Sequence, residues 1–151
     1  MVLLCVWTAA ACQRQPAGPE AVYRCFYQAL LEKDWDTAVE RLAPEVVERL
    51  RQTGRRMARL LGRAEIDPLE LMLRSASAEL VQPLQAVEVI RRGEATAVLQ
   101  VTAGPCREGQ KCAVSDVTAR WHDGSWVLVP RMPPLLGGAT RADNQAEKEA
   151  P

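Results

Sequence analysis

The stretch Val87-Glu88-Val89-Ile90-Arg91-Arg92-Gly93-Glu94-Ala95-Thr96-Ala97-Val98-Leu99-Gln100-Val101-Thr102 decides the fold of this 151-residue chain. Before Pro83 the apolar residues recur at intervals of three and four, as on one face of a helix; from Val87 onward they alternate, as on a half-buried strand. Two strand-like runs meet at Arg92-Gly93-Glu94. A third follows, in which Val117, Ala119 and Trp121 alternate with Thr118, Arg120 and His122. Asp123-Gly124 is a strong two-residue hairpin signal and leads into Trp126-Val127-Leu128-Val129. Four antiparallel strands after a helical half predict an α+β domain, with the N-terminal helices packed on an antiparallel sheet.

Working back from Pro83, four helices are expected. From Pro19 to about Lys33, Val22, Cys25, Phe26, Ala29 and Leu30 make one apolar face, with Pro19 suited to a first helical position. Cys25 on that stripe reads as a buried thiol. Asp34-Trp35-Asp36-Thr37 is a break and restart, with Asp34 or Asp36 as N-cap, and a short helix should then run through Leu42. Pro44 opens a third helix whose buried face is expected to hold Val46, Val47, Leu50, Met57, Leu60 and Leu61, with a possible kink at Gly54. Asp67, Pro68 and Glu70 have the spacing of an N-cap, a first-position proline and a capping-box acid. Leu69, Met72, Leu73, Ala76 and Leu80 continue that fourth helix on one face.

The third helix carries the one strongly charged feature of the chain. Between Arg49 and Arg63 there are six arginines, Arg49, Arg51, Arg55, Arg56, Arg59 and Arg63, and no acid. The whole chain balances 19 basic against 19 acidic residues. A neutral chain lacks the general positive field of a nucleic-acid binder, so no nucleic-acid partner is expected. The helix has two readings: a basic amphipathic face that lies on an anionic surface, or a solvated face paired with acids from elsewhere in the chain.

Residues 2 to 11 are apolar, end in Ala9-Ala10-Ala11 and are followed by Cys12 and a Pro-containing polar run, Gln13 to Pro19. That is a secretory apolar segment with a small-residue cleavage site, too short to span a bilayer. Thr8-Ala9-Ala10-Ala11-Cys12 resembles a bacterial lipobox, although Ala9 stands where the family prefers Leu. Cys5 is the poorer candidate because bulky Leu4 precedes it. The resemblance implies a signal peptide over 1–11, lipidation at Cys12, a flexible tether over 12–18 and a lipid-anchored protein of the cell envelope. With Gln13 after the cysteine, it also implies the outer membrane, facing the periplasm.

Cys106 and Cys112 bracket five residues between the second and third strands. In an exported protein a disulfide is their expected state. Zinc is the alternative, but the spacing exceeds the usual two to four, and the single histidine, His122, cannot complete a four-ligand site; no metal or cofactor is expected. The domain should occupy 19–132, with a disordered tail over 133–151 that contains Pro133-Pro134, Gly137-Gly138 and a run of polar residues.

Ala29-Leu-Leu-Glu-Lys-Asp-Trp35-Asp-Thr-Ala-Val-Glu-Arg-Leu-Ala-Pro-Glu45 and Asp123-Gly-Ser-Trp-Val-Leu-Val129 resemble the entry helices and the final hairpin of the nuclear transport factor two-like superfamily. That resemblance implies a cone-shaped domain with a curved sheet, and it covers about three quarters of the chain. In the superfamily's enzymes a carboxylate base and a hydrogen-bond donor line the cone, but no residue here matches such a motif, so no catalytic residue is assigned. Tyr23, Tyr27 and Asp116 sit on elements that could face inward. Three functions follow, in order: a noncatalytic envelope lipoprotein whose cone binds an envelope protein or small apolar ligand; an isomerase, cyclase or dehydratase using the cone; or anionic-surface binding through the Arg49–Arg63 helix.

Overall fold

The computed structural model describes residues 17–79, 82–104 and 112–130, with the side chains of 76–79 set aside. The expected signal peptide with Cys12, most of the tether, Cys106 and the tail over 133–151 lie outside the described residues. The helical half comprises α1 (Pro19–Glu32), α2 (Trp35–Glu40), α3 (Pro44–Leu60) and α4 (Pro68–Glu79). The strands are β1 (Leu84–Arg92), β2 (Thr96–Ala103), β3 (Ala113–His122) and β4 (Ser125–Val129). They form an antiparallel sheet in sequence order, and the domain is α+β as the change of periodicity requires.

Local signals explain the element ends. Gly18 precedes Pro19 at the start of α1. The helix closes with a Schellman cap: Lys33 adopts φ 59°, its N–H bonds the Leu30 carbonyl, and the Asp34 N–H bonds the Ala29 carbonyl. Asp34 then serves as the N-cap of α2, its carboxylate accepting the Thr37 N–H at 3.2 Å, which settles the choice between Asp34 and Asp36. The α2 helix ends at Glu40, short of Leu42, because the chain turns onto the sheet: Ala43 N–H bonds the Leu128 carbonyl and Leu128 N–H bonds the Arg41 carbonyl. Asp67 caps α4 by accepting from the Leu69 and Glu70 N–H groups, both at 2.9 Å. Glu70 does not act as the expected reciprocal capping acid; its carboxylate pairs with Arg74 one turn on.

One face of the sheet meets the helices. Val87, Ala97, Leu99, Val101, Val117, Ala119, Trp126 and Leu128 join Val22, Leu30, Val46, Leu50 and Leu73 in a single core. The side chains of Leu30, Leu73, Leu99 and Leu128 are wholly enclosed. Two irregularities in the β1–β2 pairing, at Leu84/Ala86 and Val89/Arg91, break the alternation of β1. Ile90 falls in the second and is left half-exposed, which accounts for two adjacent apolar residues at Val89-Ile90. At the β3–β4 turn, Asp123 and Gly124 both have positive φ (47° and 82°), the geometry of a two-residue hairpin whose twist matches its strands. Trp121 faces Trp126 across it, edge to face at 5.6 Å, with the Arg92 guanidinium 5.9 Å from the Trp126 ring.

Candidate surface-binding site

The helix α3 carries the concentrated charge of the chain. Its buried side follows a four-residue step, Val46, Leu50, Gly54 and Ala58, with Val47 and Met57 partly covered beside it. Gly54 is no kink. The helix continues through it, and the missing side chain makes room for the first turn of α4: a Cβ at Gly54 would fall inside the Pro68 carbonyl group. The two helices therefore touch backbone to backbone, which only glycine permits.

The expectation that Leu60 and Leu61 belong to the buried face is corrected. They are 77% and 58% exposed. Leu60 lies one turn beyond Arg56 on the solvent side, and the helix ends before Leu61 can pack. The ending is another Schellman cap: Gly62 has φ 63°, its N–H bonds the Arg59 carbonyl at 3.2 Å, and the Arg63 N–H bonds the Ala58 carbonyl at 2.8 Å. Nothing lies within 4 Å of a Cβ built on Gly62, so this glycine serves backbone conformation alone, unlike Gly54. The cap holds Leu60, Leu61 and Arg63 at a defined, solvent-facing corner.

All six arginines of the basic run are exposed. The acid that meets them is Glu48, one residue before the run: its carboxylate receives Arg51 Nη1 at 3.1 Å and Arg55 Nη2 at 3.2 Å. Glu48 is held below the usual carboxylate range, first by the hydrogen bond from Gln52 and next by that from Arg51. Glu45, in the first turn of α3, is also held low, by a backbone hydrogen bond and by Arg120 of β3, whose Nη2 lies 2.7 Å from Oε1. Both carboxylates of α3 are thus engaged away from Arg49, Arg56 and Arg63, which make no ion pair among the described residues. Arg59 turns its Nε back to the Arg55 carbonyl at 3.3 Å. Arg51 and Arg55 are therefore paired through a neighbour on the same helix, not through an acid brought from elsewhere in the chain.

The inward-facing candidates divide. Tyr23 and Tyr27 are buried; burial, and next the proximity of Tyr27, pushes the Tyr23 hydroxyl above its usual range. The Tyr27 hydroxyl donates to the Gln82 carbonyl at 2.7 Å and so ties α1 to the segment entering β1. Asp116, by contrast, is exposed on the sheet face away from the core, paired in register with Gln100. Among the described residues, the carboxylates with displaced titration, Asp34, Glu45 and Glu48, are all displaced downward.

Cys25 is a buried thiol outside any disulfide, as its place on the apolar stripe predicts. Cys112 is disulfide-bonded, and its partner lies outside the described residues. Among the described residues, no three His, Cys, Asp or Glu side chains are grouped to hold a metal, and no helix is long and apolar enough to cross a membrane. No protein-family model matches this chain, nor does any curated protein or solved structure.

Proposed function

We propose that this chain is a noncatalytic lipoprotein of the bacterial cell envelope, anchored through Cys12 at the outer membrane, facing the periplasm, and carrying a cone-shaped domain of the nuclear transport factor two-like kind. The observation that carries the reading is the distribution of side chains. The space between helices and sheet is filled by packed apolar residues such as Leu30, Leu73, Leu99 and Leu128, while the concentrated charge stands outside on α3. Such a domain works by contact, with an envelope protein or a small apolar ligand as partner.

The sequence supplies the anchor. Gly18, the residue before α1, is six positions on from Cys12, and six extended residues reach about 20 Å. A leash that short keeps the domain surface at the bilayer, where a weak contact acts at high effective concentration. A disulfide between Cys106 and Cys112 fits the same compartment.

The test is intact mass and detergent-phase partitioning of the protein expressed in a bacterium, beside Cys12→Ser. Loss of residues 1–11, added mass fitting acyl chains, and transfer to the detergent phase by the wild type alone are expected. A wild-type protein that keeps residues 1–11 and stays in the aqueous phase overturns the reading.

A further inference from the structure

From the corner at the end of α3 we infer that this protein has a second, non-covalent membrane contact: the face formed by Arg49, Arg56, Leu60, Leu61 and Arg63 docks on a bilayer surface rich in anionic phospholipid. Arg49 and Arg56 are seven residues apart, two turns along one line of the helix, and Leu60 continues that line one turn further. The Gly62 cap sets Leu61 and Arg63 beside it. The ion pairs give the face its sign. Glu48 is occupied by Arg51 and Arg55, and Glu45 by Arg120, so neither carboxylate of α3 offsets Arg56 and Arg63 beside the two exposed leucines, or Arg49 further back on the same line.

That combination selects a bilayer over a soluble polyanion. A polyanion satisfies guanidinium groups but gains nothing from two leucines in solvent. A phospholipid surface takes both, phosphates receiving the arginines while Leu60 and Leu61 enter the boundary below the headgroups. The proposal does not rest on acylation of Cys12, although an anchor would strengthen the contact by adding a second attachment.

The test uses the full chain carrying Cys12→Ser in every variant, so that acylation plays no part and the residues before Cys12 contribute equally throughout. Binding is measured by co-sedimentation with vesicles of phosphatidylglycerol and phosphatidylethanolamine, and with phosphatidylcholine vesicles. Tighter binding to the anionic vesicles is expected, weakened by salt. Arg49→Gln, Arg56→Gln and Arg63→Gln together should weaken it on the order of a hundredfold at low salt, since each basic residue at an anionic surface is worth about fivefold. The corresponding three Arg→Lys changes should retain it. Leu60→Ser with Leu61→Ser should cost roughly tenfold, a loss that persists at high salt because apolar burial is not screened. Amide exchange over residues 56–63 should slow on the anionic vesicles. Wild-type affinity in the triple glutamine variant overturns the proposal. So does wild-type affinity in the double serine variant together with equal binding to long-chain polyphosphate, which assigns the face to a soluble polyanion instead.

Discussion

In the first half of α3, Val46 and Leu50 lie in the core and both carboxylates are engaged by arginines; at its end, Leu60 and Leu61 stand in solvent beside arginines that meet no carboxylate among the described residues. The residue types are the same at both ends. What differs is the company brought by the rest of the chain: Arg120 of β3 reaches the start of the helix, α4 meets it at Gly54, and the Gly62 cap turns the chain away at the end. Leucine and arginine acquire opposite roles within fifteen residues because burial is a property of the neighbourhood. The contrast also separates residues whose side chains stabilise the domain from residues whose side chains stand in solvent.

Truncation should expose that contrast most strongly. Leu50→Ala removes a side chain 7% exposed and should destabilise the domain by about 3 kcal/mol, the cost of lost burial plus a cavity. Leu60→Ala, at 77% exposure, should stay within about 0.5 kcal/mol in the same urea titration. Equal losses would mean that the end of α3 packs against something in the free protein, and the contrast would collapse.

The two glycines sharpen it at the level of backbone. Gly54→Ala drives a methyl group into the Pro68 carbonyl, so α3 and α4 must move apart, at a cost of about 2 kcal/mol or more. Gly62→Ala meets no neighbour and pays only for its positive φ, about 1 kcal/mol. Chemical denaturation of the two variants should therefore rank Gly54 above Gly62. A reversed order would show that the cap, rather than the helix contact, holds α3 in place.

Lys33 offers a gain of similar size to the Gly62 loss. It occupies the left-handed position of the α1 cap that Gly62 fills in α3, with φ 59° against 63°. Lys33→Gly should raise stability by roughly 0.5–1 kcal/mol, seen as a higher thermal midpoint, because a side chain is disfavoured in that conformation. No gain would indicate that the lysine side chain compensates through contacts of its own.

The smallest expected effect is in acid. Glu45 and Glu48 titrate below the ordinary carboxylate range when folded, so the stability they contribute is present above the unfolded value near pH 4.3 and is lost as pH falls through their lower folded values. The thermal midpoint should decline below about pH 4, and Glu45→Gln with Glu48→Gln should flatten that decline. At neutral pH, Glu48→Gln alone should strengthen binding to anionic vesicles a few-fold, because Arg51 and Arg55 then lose their carboxylate.

Much of the fold was legible where the decisive interactions are local. Asp123-Gly124 specifies its hairpin because both positive φ angles are set within the turn. Pro19, Pro44 and Asp67-Pro68 begin their helices because capping and proline geometry act over three or four residues. The alternation of Ala97, Leu99 and Val101 announced the inner face of β2, and the apolar spacing around Cys25 announced its burial. Within the surface site, the excess of arginine was visible, and so was its place on a helix.

Tertiary structure alone decided the rest. The exposure of Leu60 and Leu61 depends on where α4 and the sheet stop covering α3, and the use of Gly54 depends on Pro68 arriving from a different helix. That Glu45 answers to Arg120, 75 residues away, follows from β3 lying beside the start of α3. Leu42 bridges Leu128 along the edge of β4, a pairing that ended α2 before its apolar pattern did. Backbone preference is written into a few consecutive residues and can be read from them. Burial and charge partnership are settled by which distant segments share the same space, and for this chain they separate Arg51 and Arg55, which pair with Glu48, from Arg49, Arg56 and Arg63, which meet no carboxylate among the described residues.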